Sequence, residues 1–259
     1  MMSDMIKVVK IGGNVVDDEQ SLERFLSDFA SMEGGKVLIH GGGKLATRLC
    51  KQLGIETTMI GGRRVTDRET LDVCTMVYAG LVNKRIVAAL NARGCKALGL
   101  SGADAGVIPA KKRNPEPVDY GYVGDIEGDK TDHSFIKHLL EIGVTPVFCA
   151  LTHDGQGNML NTNADSVASQ VAIAVSRFAP AQLVFCFEKD GVLADVGDPE
   201  SLIDNINRAS FESLKAQGVI AEGMLPKVEG ALNAVAQGVA EVVIKNSANL
   251  LSQRGTKIK

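Results

Sequence analysis

Apolar positions along the chain fall into short β-branched runs that alternate with longer stretches of helical period. Ile6–Ile11 (IKVVKI) is a buried strand that stops at Gly12-Gly13. Across residues 17–32, Leu22, Phe25, Leu26 and Phe29 recur at the helical spacing, and Gly34-Gly35 ends that helix. Lys36–His40 (KVLIH) is a second buried strand ending in glycines, Gly41-Gly42-Gly43, before a helix over residues 44–53. Strand, helix, strand, helix at this spacing predicts βαβ units and a parallel sheet.

The same alternation continues. Thr66 with Glu69 reads as a capping box opening a long helix to residue 93, with Leu71, Cys74, Tyr78, Leu81 and Val82 on one face. A strand over 95–100 follows, then hairpins over 104–126 whose basic Lys111-Lys112-Arg113 tip reads as a solvated turn on a surface flap. A helix over 133–142, a strand over 144–150 and a hairpin turning at Asp154-Gly155 lead to a helix from Ala164, with Asn163 as its N-cap. Pro180 marks a domain boundary. Beyond it come a strand over 182–187, the loop Glu188-Lys189-Asp190-Gly191-Val192-Leu193, helices over 210–217 and 228–237, and a last strand over 241–245.

Composition narrows the classes. A chain of 259 residues, 45% hydrophobic and 23% charged, has enough material for one large α/β domain or two modest ones. The net charge of -3 and the absence of Trp argue against nucleic acid or an anionic membrane as partner. No run approaches a membrane span and no signal peptide opens the chain, so a cytoplasmic protein is expected. The five cysteines are scattered, odd in number and never CxxC, which reads as reduced core residues, and the four histidines lack metal spacing.

The candidate chemistry sits at the glycine turns. Lys10 lies at the C-terminal end of the first strand, the edge where open α/β sheets bind ligands, beside Gly12 and Gly13, whose bare amides suit a phosphate. At Gly41-Gly42-Gly43 backbone N–H groups and a helix start together face an anion, yet this is not a Walker loop and the chain contains no GxGxxG. Arg63 and Arg64 precede a helix, where a guanidinium fork makes a good carboxylate clamp. Asp165, in a helix's first turn, is kept ionised by the dipole and is a candidate anionic hub for two lysines. Lys227, a cation near a helix start, requires a compensating anion.

Lys10-Ile-Gly-Gly13, His40-Gly-Gly-Gly43, Arg64-Val-Thr66, Asn161-Thr-Asn-Ala-Asp165 and Gly223-Met-Leu-Pro-Lys227, in this order and spacing, resemble the amino acid kinase family along essentially the whole chain. The resemblance implies a three-layer αβα sandwich with an open, mainly parallel central sheet of about eight strands. It implies an N-terminal lobe, 1–177, for an acyl-amino-acid substrate and dimerisation, and a C-terminal lobe, 178–259, for ATP. The implied reaction is ATP-dependent phosphorylation of the γ-carboxylate of N-acetyl-L-glutamate, or of a close N-acyl-glutamate such as N-succinyl, in arginine biosynthesis.

In that reading Lys10 and Lys227 stabilise the transition state and Asp165 orients both. Gly42, Gly43, Arg64 and Asn161 bind the acyl amino acid. Gly12, Gly13, Glu188, Lys189, Asp190, Gly191, Val192, Leu193, Val219, Ile220 and Ala221 bind ATP, with Mg²⁺ carried by the nucleotide phosphates and no metal site on the protein. Glu188 departs from the family's usual Asp. A chain that starts almost at its first strand further implies a homodimer insensitive to arginine. The alternatives are another small-molecule carboxylate or carbamate kinase of the family, or a non-catalytic amino-acid or nucleotide sensor on the same fold.

Overall fold

The structure, a computed structural model, describes residues 5–195, 197–220 and 224–259, with only the backbone of Asp129. Strand β1 (Ile6–Ile11) stops at Gly12 and passes through a short helix α1 (Gly13–Asp17) into α2 (Glu19–Ser31). Asp18 caps α2, its carboxylate accepting the Ser21 N–H at 2.7 Å. Then follow β2 (Lys36–His40), α3 (Gly43–Gln52) and a small hairpin, β3 (Met59–Ile60) with β4 (Arg63–Arg64).

Helices α4 (Arg68–Thr75) and α5 (Asn83–Asn91) are joined without a break by a π-helical segment, Met76–Val82. Next come β5 (Ala97–Leu100), the flap hairpin of β6 (Ala110–Lys112) and β7 (Gly124–Ile126), α6 (His133–Glu141) and β8 (Thr145–Cys149). The hairpin β9 (Leu151–His153) and β10 (Met159–Asn161) precedes α7 (Ala164–Ser176) and β11 (Ala181–Phe187). The chain ends with β12 (Asn205–Ile206), α8 (Arg208–Ala216), α9 (Leu225–Ala236), β13 (Glu241–Asn246) and β14 (Thr256–Ile258).

Eight strands form one sheet in the order β12-β14-β13-β11-β1-β2-β8-β5. Its described pairings are parallel except β13 with β14. Pleating sends alternate side chains to opposite layers. Ile6 and Val8 of β1 join the core with α6, α7 and α9, whereas Val9 and Ile11 join the one with α2, α4 and α5. Lys10 follows the parity of Ile6 and Val8, so it emerges on the side of α7 and α9. His40 follows Leu38 to the opposite side, toward α5.

Five expectations need correcting. Asp67, not Thr66, caps the long helix, accepting the Thr70 N–H at 2.8 Å, which leaves Thr66 buried under the site. Leu71, Cys74, Tyr78 and Val82 are buried as the periodicity requires, but Leu81 is 39% exposed because the π turn shifts the phase of the face. Lys111 and Lys112 lie in strand β6, and Arg113 just beyond makes a bidentate contact with Asp125 of β7, so the basic run is not a solvated tip. Strand β14, too short to show an apolar period, follows β13 and turns the sheet's edge antiparallel. Finally, the run Arg68–Asn91, at 24 residues, is by length and composition apolar enough to cross a membrane. Its face of Leu71, Cys74, Val77, Val82, Ile86 and Leu90 is instead buried in the core.

Candidate active site

Lys10, at the end of β1, and Lys227, in the first turn of α9, meet one carboxylate. Lys10 Nζ lies 2.7 Å from Asp165 Oδ1, and Lys227 Nζ donates to Asp165 Oδ2 at 2.6 Å. Asp165 is held at the start of α7 by Asn163, whose side chain accepts the N–H groups of Asp165 and Ser166 at 2.8 and 3.2 Å. Burial by itself would raise the Asp165 pKa, but the two ammonium groups outweigh it and hold the carboxyl down at about 2. Lys227 opposes the dipole of α9, and Asp165 is the anion that offsets this. Ammonium groups from two ends of the chain are thus fixed side by side.

The turn after β2 is packed more tightly. A Cβ on Gly42 would lie 2.8 Å from Cδ1 of Tyr78, so the turn tolerates no side chain there without displacing that buried ring. The π turn aims Tyr78 at this spot, with its phenol near the side chains of Arg64 and Cys74. Burial raises the Tyr78 pKa and pushes the Cys74 thiol up to about 11, so both stay neutral. Arg64 Nη2 donates to the Gly43 carbonyl at 2.9 Å and to Thr47 Oγ1 at 2.7 Å, while its Nη1 is buried with no partner among the described residues. An oriented, unpartnered guanidinium nitrogen is a receptor for an oxyanion.

Between these two groups lies a cavity of about 700 Å³, walled by Gly41, Gly42, Gly43, Arg64, Asn161, Asp165 and Lys227. That is ample for a small organic acid with part of a second ligand. Asn161 Nδ2 donates to Thr66 Oγ1 at 3.0 Å, joining β10 to the loop before α4. The β3–β4 hairpin contributes Met59, Gly62 and Arg63, and the flap contributes Arg113, Val123, Gly124, Asp125 and Ile126. Both hairpins therefore supply walls of the cavity.

A model of the amino acid kinase family matches residues 5–246. The chain belongs to the amino acid kinase family. An acetylglutamate kinase of Bacteroides thetaiotaomicron is 53% identical over 100% of both chains, and one of Bacteroides fragilis is 52% identical over 100% of this chain and 98% of its own. Among solved structures, an N-acetylglutamate synthase of Neisseria gonorrhoeae in complex with coenzyme A and N-acetyl-glutamate superposes with a TM-score of 0.82. It is 25% identical over 99% of this chain and 60% of its own.

Within this amino acid kinase the expected site residues divide into two sets. Lys10, Lys227, Asp165, Gly42, Gly43, Arg64 and Asn161 come together at or beside the cavity. Gly12, Gly13, residues 188–193 and the described part of 219–221 lie outside its lining. There, Asp190 is tied to Arg254 Nε at 2.8 Å and Asn249 Nδ2 at 3.2 Å, and the Glu188 carbonyl accepts from Asn246 Nδ2 at 2.9 Å. Val192 is buried, its N–H donating to Thr256 Oγ1 at 2.8 Å, and Ile220 is buried too. Ala221 lies outside the described residues, as does Gly223 of the motif before Lys227. Gly12 donates its N–H to the Cys186 carbonyl at 3.0 Å, so the amides left for an anion at that turn begin with Gly13. The places of Tyr78 and Arg113 in the cavity wall are not legible in the sequence, because a π turn and a strand pairing position them and neither has a local signature.

Proposed function

We propose that the protein phosphorylates the γ-carboxylate of N-acetyl-L-glutamate, or of a close N-acyl-glutamate, with ATP as donor, as a step of arginine biosynthesis. The observation that carries this reading is the convergence of Lys10 and Lys227 on Asp165 at the edge of a cavity that Arg64 also lines. A carboxylate is already deprotonated at neutral pH and needs no general base. One γ-carboxylate oxygen attacks the terminal phosphorus of ATP, the bond to the bridging oxygen breaks, and ADP leaves with that electron pair. What remains for the protein is alignment and neutralisation of charge on the migrating group.

Each ammonium has a place in that task. Lys10 and Lys227 face the transferred phosphoryl while Asp165 keeps them apart and oriented. Arg64 Nη1 takes a substrate carboxylate, Gly42 and Gly43 present backbone N–H groups, and Asn161 contacts the amide end. ATP lies on the residues of the 178–259 lobe, against the loop 188–193 and Val219 and Ile220, and reaches Gly13 of the 1–177 lobe, where the acyl amino acid lies.

Protein side chains fit Mg²⁺ poorly at this point. Both oxygens of Asp165 face ammonium groups, and no cluster of three or more His, Cys, Asp or Glu side chains converges among the described residues. A magnesium ion would therefore arrive on the nucleotide phosphates and neutralise their charge. The protein works as a homodimer in the cytoplasm, and Met76 and Leu81, exposed on the long helix, belong to the subunit contact. Release of ADP, followed with N-acetylglutamate, N-succinylglutamate, glutamate, aspartate or carbamate, tests the assignment. Turnover on the acylated glutamates alone is expected, and faster turnover on an unacylated acceptor would overturn it.

A further inference from the structure

Behind the glycine turn, on the face of the sheet away from the lysines, a hydrogen-bond chain that the reaction does not touch runs inward from exposed Lys84 to buried Asn83 and His40. Lys84 Nζ donates to Asn83 Oδ1 and to the Gly99 carbonyl, each at 3.2 Å. Asn83 Nδ2 donates to the Val147 carbonyl at 2.9 Å and lies 3.0 Å from His40 Nε2. His40 Nδ1 lies 2.7 Å from the Gly41 carbonyl oxygen. His40 is fully buried, Asn83 nearly so, and a Cβ on Gly99 would fall 1.9 Å from Asn83 Oδ1.

The polarity of this chain is determined from its ends. An ammonium on one side and a carbonyl on the other allow the Asn83 amide one orientation, oxygen to Lys84 and nitrogen to Val147. That nitrogen therefore also donates to His40 Nε2, which must be bare. Burial holds the imidazole neutral, its pKa pushed down to about 4, so its single proton sits on Nδ1 and is donated to the Gly41 carbonyl. In a trans peptide the carbonyl of one residue and the N–H of the next point in opposite directions. A Gly41 carbonyl drawn inward to His40 therefore turns the Gly42 N–H outward, to the cavity wall that Gly42 forms.

We infer that Asn83 and His40 are positioning residues, whose relay fixes the Gly41–Gly42 peptide so that the Gly42 N–H donates to an oxygen of the bound acyl-glutamate. The role in substrate binding rests on the proposed function, whereas the relay itself does not. Neither side chain touches substrate, and the π turn immediately before Asn83 sets its register under the sheet.

Nitrogen-15 NMR of the histidine side chains in the whole protein reads the relay without any substrate. His40 is expected as the pure Nδ1–H tautomer from pH 5 to 8, and an Nε2–H signal overturns the inference. In Asn83→Leu that tautomer should become mixed, and KM for N-acetylglutamate should rise about tenfold while KM for ATP stays within twofold. Gly99→Ala, whose Cβ displaces Asn83 Oδ1 and Lys84 Nζ, should repeat the pattern. Equal changes in both KM values, or none, overturn it as well. A wild-type protein that turns over no acyl-glutamate would defeat the proposed function, while the His40 spectrum would still decide the relay.

Discussion

Two turns in this molecule share one pattern: a buried strand, a basic or imidazole side chain near its end, glycines, and a helix. After β1, Gly12 gives its N–H to Cys186 on the neighbouring strand, and a Cβ there would meet nothing nearer than 3.5 Å. After β2, Gly42 sits against Tyr78, Gly43 gives its carbonyl to Arg64, and His40 draws in the Gly41 carbonyl. The first turn is loosely surrounded and its chemistry rests on a side chain, Lys10. The second is locked on all sides and its chemistry rests on the backbone. Glycine strings alone do not say which kind of turn they make. The neighbours decide, and these come from residues 64, 78 and 83, far along the chain.

Substitutions should separate the two turns by kind and size of effect. Lys10→Ala, and Lys227→Ala opposite it, should lower kcat by about 10² or more with modest change in KM, measured by steady-state ADP release. Arg64→Lys, which loses the planar fork behind the second turn, should raise KM for the acyl amino acid by about tenfold or more with kcat less affected. Gly42→Ala must push Tyr78 aside, so it should cost about 1–3 kcal/mol in urea unfolding and also raise that KM. Gly12→Ala meets no such obstacle, and its stability should stay within about 0.5 kcal/mol of wild type. Equal destabilisation by the two alanines would erase the distinction.

Acid titration offers a finer cut. His40 has its pKa lowered by burial from 6.5 to about 4, so the unfolded chain takes up a proton first as pH falls. Its contribution is fully present above pH 6.5 and is lost between there and pH 4, up to about 3 kcal/mol. Asp165, lowered from 3.8 to about 2 by its two lysines, loses its contribution only below about pH 4. Urea midpoints measured from pH 7 to 3 should therefore fall first through the second turn, and His40→Asn should remove the slope between pH 6.5 and 4.

Much of this architecture was readable in advance, for identifiable reasons. Ile6–Ile11 and Lys36–His40 are strands over the residues the apolar runs delimit, because a central parallel strand is buried on both faces and shows as an unbroken run. Asn163 caps α7, and Lys227 has the anion its place at a helix start demands, since capping and dipole rules act within one turn. Hydrophobic spacing puts Leu81 on the buried face because it does not register the residue that a π turn inserts into the period. Arg113 reads as a solvated tip because its partner Asp125 is reached only through the pairing of β6 with β7. The relay under Gly42 was hidden for the same reason: His40 and Asn83 stand 43 positions apart and meet only across the sheet.

The central claim is that paired ammonium groups move a phosphoryl onto a carboxylate, and trapping the product with hydroxylamine tests it most directly. Purified protein with ATP and N-acetyl-L-glutamate should yield one hydroxamate per ADP released, and none when the acyl amino acid is left out. ADP released without hydroxamate, or hydroxamate formed without the acyl amino acid, would contradict the account.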